Sequence, residues 1–416
     1  MKIIVIGSIE AGVSAAMMLA SDQAAARIVV YEKGSFYTCG TCGLPHYLTE
    51  DLKTLKEAVD SKERELAVSQ IEAHLRHEVL DIQPAARTLT IRDMDGNRVF
   101  TEAYDKLVLA TGNLSLIPQV PGADRVGVQT LKSVEDLLFL KEYVRTPYVR
   151  DIVILGGSYA GLEIAKAFHR LGRNVRIIEK DRQLLPDFDA EVASMIQAEL
   201  EQAGLKFQLG ETVQEFPGQT FIEQVRTNRG TYPCDLCISA IGVMPNTALA
   251  ASAGLSLDQN GAVIVNEKLE TSVPGIYAVG NCTSNKNGSL RTSSLRTAGL
   301  EIARTGLTQE EAVKSRRRVK SVTASGNDRP GICPNPNRVT IKLVYDADTH
   351  QILGAQAWGK KNAAARINAI AVAAAAGMTA EQLGQVGFVY SSSASAIWDP
   401  IQIVCSKVGR EGRHYA

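Results

Sequence analysis

The stretch Lys2-Ile3-Ile4-Val5-Ile6-Gly7-Ser8-Ile9-Glu10-Ala11-Gly12 decides the fold. An apolar run stopped by glycine reads as a buried parallel strand. The small and apolar residues from Ala11 to Ala20 read as a helix. Arg27-Ile28-Val29-Val30-Tyr31-Glu32 reads as a second strand that ends on an acid. Strand, turn, helix and strand make a βαβ unit. Its turn keeps the first and last glycines of G-x-G-x-x-G, Gly7 and Gly12, with Ile9 in the middle place. Small residues and free backbone N–H groups at a helix start suit a pyrophosphate. Glu32, 25 residues after Gly7, stands where a carboxylate takes ribose hydroxyls.

A second unit follows about 150 residues on. Asp151 to Gly156 is a strand, Leu162 to Leu171 a helix, and Asn174 to Glu179 a strand ending on an acid. The turn between is Gly156-Gly157-Ser158-Tyr159-Ala160-Gly161, and Glu179 lies 23 residues after Gly156. A carboxylate there bonds a 2′-hydroxyl and repels a 2′-phosphate, which favours NADH over NADPH. Lys180 and Arg182 soften that preference.

Two such units imply two nucleotide-binding domains. Further strands at 106–110, 237–241 and 275–280 run into Gly112, Gly242 and Gly280. From about residue 286 the pattern changes. Arg338 to Tyr345 and Gln351 to Ala357 read as antiparallel strands around an Asp346–Thr349 turn, and Ala363 to Ala376 as an alanine-rich helix. The expected architecture is α/β, with two Rossmann-like domains and an α+β C-terminal domain. Ser284 to Ser289 is the linker candidate.

The 416 residues carry 45 Lys+Arg and 45 Asp+Glu, so net charge gives no reason to expect nucleic acid or an anionic membrane as partner. The basic run Ser315 to Lys320 reads as a solvated turn. No apolar run reaches the roughly 18 residues that span a bilayer. The apolar start is too short for a signal peptide, so the expected location is cytoplasmic. Seven cysteines, an odd number, do not form a disulfide framework.

Cys39-Gly40-Thr41-Cys42-Gly43-Leu44-Pro45 follows the first acidic strand end. Its spacing is that of a dithiol pair, and Gly43 and Pro45 suit a turn into a helix. A zinc half-site or two structural cysteines are the alternatives. Zinc would need two more ligands. The other pair, Cys234 and Cys237, sits in or beside a strand, where residues three apart face opposite sides. Cys234, Cys237, Cys282, Cys333 and Cys405 read as buried small residues.

Nearly the whole chain resembles the flavin-dependent coenzyme A-disulfide reductases, NADH oxidases and NADH peroxidases. These form the single-cysteine branch of the pyridine nucleotide-disulfide oxidoreductases. The anchors are Gly7 to Ala16, Tyr31 to Gly34, Cys42 to Tyr47, Tyr104 to Gly112, Gly156 to Glu163, Ala240 to Asn246 and Gly275 to Cys282. Thr305 to Ala312, Lys342 to Ala355 and Trp398-Asp399-Pro400 extend the match.

The resemblance implies FAD on residues 1–112 and 243–285, held by Gly7, Ile9, Glu10, Ala11, Gly12, Glu32, Lys33, Thr111, Gly112, Gly280 and Asn281. It implies NAD(P)H on residues 113–242, held by Gly156, Ser158, Tyr159, Ala160, Gly161, Glu163, Glu179 and Gly242. Tyr159 resembles the aromatic that shields the flavin until nicotinamide arrives. Residues 286–416 would form a homodimer and lend Tyr390 to the partner's site. Electrons would reach Cys42, with or without Cys39, and then a disulfide, a persulfide or another small acceptor. An NADH oxidase or peroxidase is one alternative, and a fold-preserving binding protein another.

The chain departs from that family at six places. Glu10 replaces a histidine of the oxidase and peroxidase members. Met17 to Gln23 lacks the arginines that take coenzyme A phosphates. Asn281 replaces an aspartate that binds the ribityl chain. About thirty residues that border the flavin are missing after Thr283. Cys39 replaces an apolar or aromatic residue, and Ser391 to Ser393 replaces a proline-rich turn.

Overall fold

The computed structural model describes residues 1–22, 25–37, 43–49, 51–59, 63–284, 290–297, 299–315, 317–391 and 395–408. The chain forms two compact units. One comprises Met1–Gly156, Ala167–Val175 and Val213–Asn287, the other Gly157–Lys166, Arg176–Thr212 and Gly288–Ala416.

The first unit is built on the predicted strand Lys2–Ile6. It lies at the centre of a parallel sheet, in the order Ile276–Ala278, Lys106–Leu109, Lys2–Ile6, Arg27–Tyr31, Glu72–His74. Val5 pairs with Val30 on one side and Val108 on the other. A strand buried on both faces must be apolar at every position, which is why this stretch shows no alternation. Ile3 and Val5 pack with Val13 and Ala16 of the helix Glu10–Asp22. Ile4 and Ile6 pack beneath Ile82, Leu89 and Ile91. Those three come from an antiparallel meander, His77–Gln83, Thr88–Asp93 and Arg98–Ala103, which the sequence reading missed.

The same unit holds Asp151–Leu155, paired in parallel with Leu236–Ser239, which in turn pairs with Val128–Gln129. One expectation fails here. Cys234 and Cys237 do not face opposite ways, because their thiols are hydrogen-bonded to each other. Strand alternation does not apply, since Thr231–Pro233 ends before Cys234 and a new strand begins at Leu236. Asp235 makes the break. Its carboxylate accepts from the N–H groups of Arg150 and Asp151, both at 2.8 Å, and its own N–H donates to Asp151 O. Both cysteines are fully buried, as expected, and burial pushes the Cys237 thiol up.

In the second unit Arg176 to Glu179 pair in parallel with Lys206–Leu209. The helix Ala190–Gln202 was also missed by the sequence reading. Its C-terminal part is a five-stranded antiparallel sheet in the order Ser293–Thr297, Leu300–Gly306, Ile352–Gly359, Arg338–Asp346, Val319–Asn327. The predicted hairpin around Asp346 and the alanine-rich helix, Ala363–Ala375, are both present. Ile367, Ile370 and Ala373 of that helix pack on Ile341, Ala355 and Ala357 of the sheet. The end of the basic run, Val319-Lys320, opens a strand rather than a turn, because it pairs with Tyr345 and Asp346. Most of the linker candidate, residues 285–289, lies outside the described residues.

Candidate functional site: two glycine turns closed by carboxylates

Each βαβ turn has the same construction. Gly7 has φ +103°, and a Cβ there would sit 2.3 Å from Ala110 O. Gly156 also has φ +103°, and a Cβ there would sit 2.4 Å from Ala240 O. Any other residue would be strained and would push the neighbouring strand aside. Gly12 is needed for a different reason: its Cβ would lie 1.9 Å from Gly7 O, where the helix closes on the turn.

The strand-end acids then tie each turn down. Glu32 accepts from Ser8 N at 2.7 Å and from Gly34 N at 2.8 Å. Glu179 accepts from Gly157 N at 2.7 Å and from Asp181 N at 2.9 Å. Both acids thus bond the residue after the first glycine and the residue two beyond themselves. Glu32 is half-buried and Glu179 buried. Glu32 Oε2 also accepts from Ser8 Oγ at 3.1 Å, and Glu32 Oε1 keeps a second lone pair for a ribose hydroxyl. The two turns fit dinucleotide phosphates, since the glycines let each strand pass tightly into its helix and bring the helix N-terminus to the turn.

Around the first turn, Ile9 and Glu10 are exposed and Ala11 is half-buried. Gly280 has φ +76°, and a Cβ there would meet the Ala11 side chain at 2.6 Å. The turn Gly280–Cys282 therefore lies against the start of the first helix, and Asn281 is exposed beside it. Thr111 donates to Asn246 O at 2.6 Å, and Asn246 N donates back to Gly112 O at 3.0 Å. Lys33 is exposed.

Around the second turn, Ser158, Tyr159 and Glu163 are half-buried, Ala160 is exposed and Gly161 is buried. Gly242, φ +128°, is exposed. The Tyr159 hydroxyl is 2.7 Å from Ser293 Oγ, and its ring lies 6.2 Å from that of Phe188. Burial pushes its phenol up to about 12, so it stays protonated at neutral pH.

Cys39 and Cys42 lie outside the described residues. The helix that follows, Leu44–Leu48, has Pro45 in its first turn, as expected. Tyr47 stacks under Lys141, whose Nζ is 3.6 Å from the ring centroid. Asp51 receives both Arg170 guanidinium nitrogens, at 2.5 and 2.7 Å. That guanidinium, helped by Thr49, holds the Asp51 carboxyl far below the usual carboxylate range. Tyr390 is 59% exposed beside Val389 at 80%, with Ile397 and Trp398 at 68% and 67%.

Sequence reasoning missed Ser293, Phe188 and the pairing of Thr111 with Asn246. The last had a signal, since Asn246 closes one of the resembling motifs. A cavity of about 410 Å³, lined by Tyr31, Glu72, His74, His77, Asp93 and Arg98 among others, includes none of the predicted site residues. No helix among the described residues is long and apolar enough to cross a membrane.

The sequence profile of pyridine nucleotide-disulphide oxidoreductases matches residues 1–308, and that of their dimerisation domain matches residues 294–400. An NAD(P)H sulfur oxidoreductase (CoA-dependent) from Pyrococcus furiosus is 30% identical over 98% of both chains. An NAD-dependent persulfide reductase from A. fulgidus is 26% identical with a TM-score of 0.92, covering 98% of this chain and 82% of that one. A water-forming NADH oxidase from Lactobacillus brevis, bound to NADH, is 27% identical with a TM-score of 0.91, over 99% of this chain and 100% of that one. The chain belongs to the pyridine nucleotide-disulphide oxidoreductase family, whose members are FAD-containing, NAD(P)H-dependent enzymes.

Proposed function

We propose that this chain reduces a disulfide, a persulfide or another small sulfur acceptor at Cys42 with electrons from NADH. The twin glycine turns, each closed by its own carboxylate, carry the reading. They supply two dinucleotide sites, and a redox thiol follows directly on the first. FAD, when bound, takes the hydride of NADH and returns two electrons to sulfur.

The residues of the chain have the following parts. Gly7 to Gly12 seat the FAD pyrophosphate, Glu32 its ribose, and Asn281 with Gly280 its ribityl end, within residues 1–112 and 243–285. Gly156 to Gly161 seat the NADH pyrophosphate and Glu179 its ribose, within residues 113–242. Tyr159 covers the place the nicotinamide takes. The Cys42 thiolate attacks the acceptor sulfur, forms a mixed disulfide and expels a thiolate or hydrosulfide. Tyr390, from the partner in a homodimer built on residues 286–416, protonates that leaving group. Buried Glu179 supports NADH as donor. The cytoplasm is the compartment that suits a reduced Cys42.

The test is an anaerobic NADH titration of the purified protein, followed by its visible spectrum. Near-stoichiometric bleaching is expected, with a long-wavelength band present in the wild type and absent in Cys42→Ser. Cys42→Ser should also lose acceptor reduction. A protein that carries no flavin, or is not bleached by NADH, would leave only a binding protein of this fold.

A further inference from the structure

Strand Ser293–Thr297 runs beside the helix that begins at the second glycine turn, Tyr159–Arg170. It is tied to that helix three times within one unit. Ser293 Oγ meets the Tyr159 hydroxyl at 2.7 Å, Thr297 Oγ1 donates to Leu162 O at 3.2 Å, and Lys166 Nζ donates to Arg296 O at 3.3 Å. Ser293 itself is anchored in the C-terminal sheet, opposite Arg304.

The residue that the Tyr159 ring packs against is also held from that sheet. Phe188, which the ring packs against, is buried in the segment Leu184 to Asp189. Buried Arg304 donates to Asp187 O, and Gln356 and Lys342 bond the Asp189 carboxylate. Leu185 N donates back to Gly157 O at 2.9 Å. The back wall is therefore fixed. A turn of the ring would break its hydroxyl pair with Ser293 without moving backbone.

We propose that Ser293 is a positioning residue that latches Tyr159 over the second nucleotide turn, so that the C-terminal domain sets how readily a nicotinamide nucleotide enters. This rests on the reading that Gly156 to Gly161 seat NADH and that Tyr159 covers the nicotinamide place. The protonated phenol keeps the latch closed across the neutral range. Opening it costs one hydrogen bond, which corresponds to about a two- to tenfold change in nucleotide affinity.

The test measures the NADH dissociation constant by anaerobic fluorescence titration of the full-length FAD-loaded protein after its flavin has been reduced with dithionite, so that bound NADH is not consumed. Ser293→Ala and Tyr159→Phe should each tighten NADH binding by about two- to tenfold. The double variant should bind no tighter than either single, because both remove the same bond. Ser293→Thr, which keeps the hydroxyl, should bind like the wild type. Tyr159→Ala separates the latch from the covering ring. If it changes NADH affinity while Ser293→Ala does not, the latch is wrong and the covering ring stands. If Tyr159→Ala also changes nothing, the covering role falls and takes the latch with it. Additive effects of the two single variants would overturn the latch as well.

Discussion

Lys342 shows what a single residue holds together in the second unit. It is 2% exposed, 2.8 Å from the Asp189 carboxylate, and it also bonds Glu191. Gln356 completes the set, accepting from Asp189 N at 3.0 Å and donating to its carboxylate. Burial alone would raise the Asp189 carboxyl. The hydrogen bonds from Lys342 and Gln356 and the ammonium charge outweigh it and hold the carboxyl below its ordinary range. A buried pair is worth little against an apolar replacement, but breaking it strands a charge. Lys342→Met should therefore destabilise the protein by about 3–5 kcal/mol in chemical denaturation. Lys342→Met with Asp189→Asn should recover part of that. A depressed folded pKa stabilises above the unfolded value, near pH 4, and the contribution is lost as pH falls through the folded value. Asp189→Asn should flatten the acid limb of the stability curve, and an unchanged limb would show that Asp189 is not the group that titrates there.

At the scale of elements, both βαβ starts were readable because their constraints are local. A strand buried on two faces must be apolar, the turn must be glycine, and the acid must stand at the strand end. The capping boxes at Ser133, Thr308, Thr379 and Asp399 are local in the same way. Gly156→Ala tests the turn. With φ at +103° and only 2.4 Å of room, it carries roughly 1–3 kcal/mol of backbone strain plus the contact with Ala240 O. Calorimetry should find a lower Tm and weakened NADH binding, while flavin retention, proposed for the turn at Gly7, should persist. Equal loss of both nucleotides would mean that the two turns do not act separately. The central strand of the meander, Thr88–Asp93, does alternate, with Leu89, Ile91 and Asp93 buried between less buried residues, and that signal was overlooked; the outer strands, His77–Gln83 and Arg98–Ala103, are mostly half-buried or exposed and carry a weaker one. The Cys234–Cys237 contact escaped the reading because a strand break, invisible in an alternating pattern, lies at Asp235.

For the whole molecule, the C-terminal unit leaves Val389, Tyr390, Ile397 and Trp398 largely exposed. Large apolar residues grouped on a surface mark an interaction site, and these fall within the range matched by the family's dimerisation domain. Trp398→Glu should shift the protein from dimer to monomer in sedimentation velocity, with Tm becoming independent of protein concentration. A dimer that survives the substitution would place the interface elsewhere. The helix that Trp398 precedes, Pro400–Cys405, is capped by Asp399 and anchored through Arg366 at 2.9 Å, so the substitution leaves its start intact.

Residue order alone was enough for two glycine turns, their acids, their strands, the hairpin around Asp346 and the alanine-rich helix. Each of these depends on neighbours within about 30 residues, so periodicity and composition record them. Tertiary structure decided the rest. The Tyr159–Ser293 bond spans 134 positions, Lys342–Glu191 spans 151, and Asp189–Gln356 spans 167. A hydrogen bond at such separation leaves no trace in local pattern, because either partner read alone is only a polar residue on a helix start, a loop or a strand. Folding turns these residues into a latch and a buried anchor, since burial removes water as the competing partner and leaves each polar group to find the other.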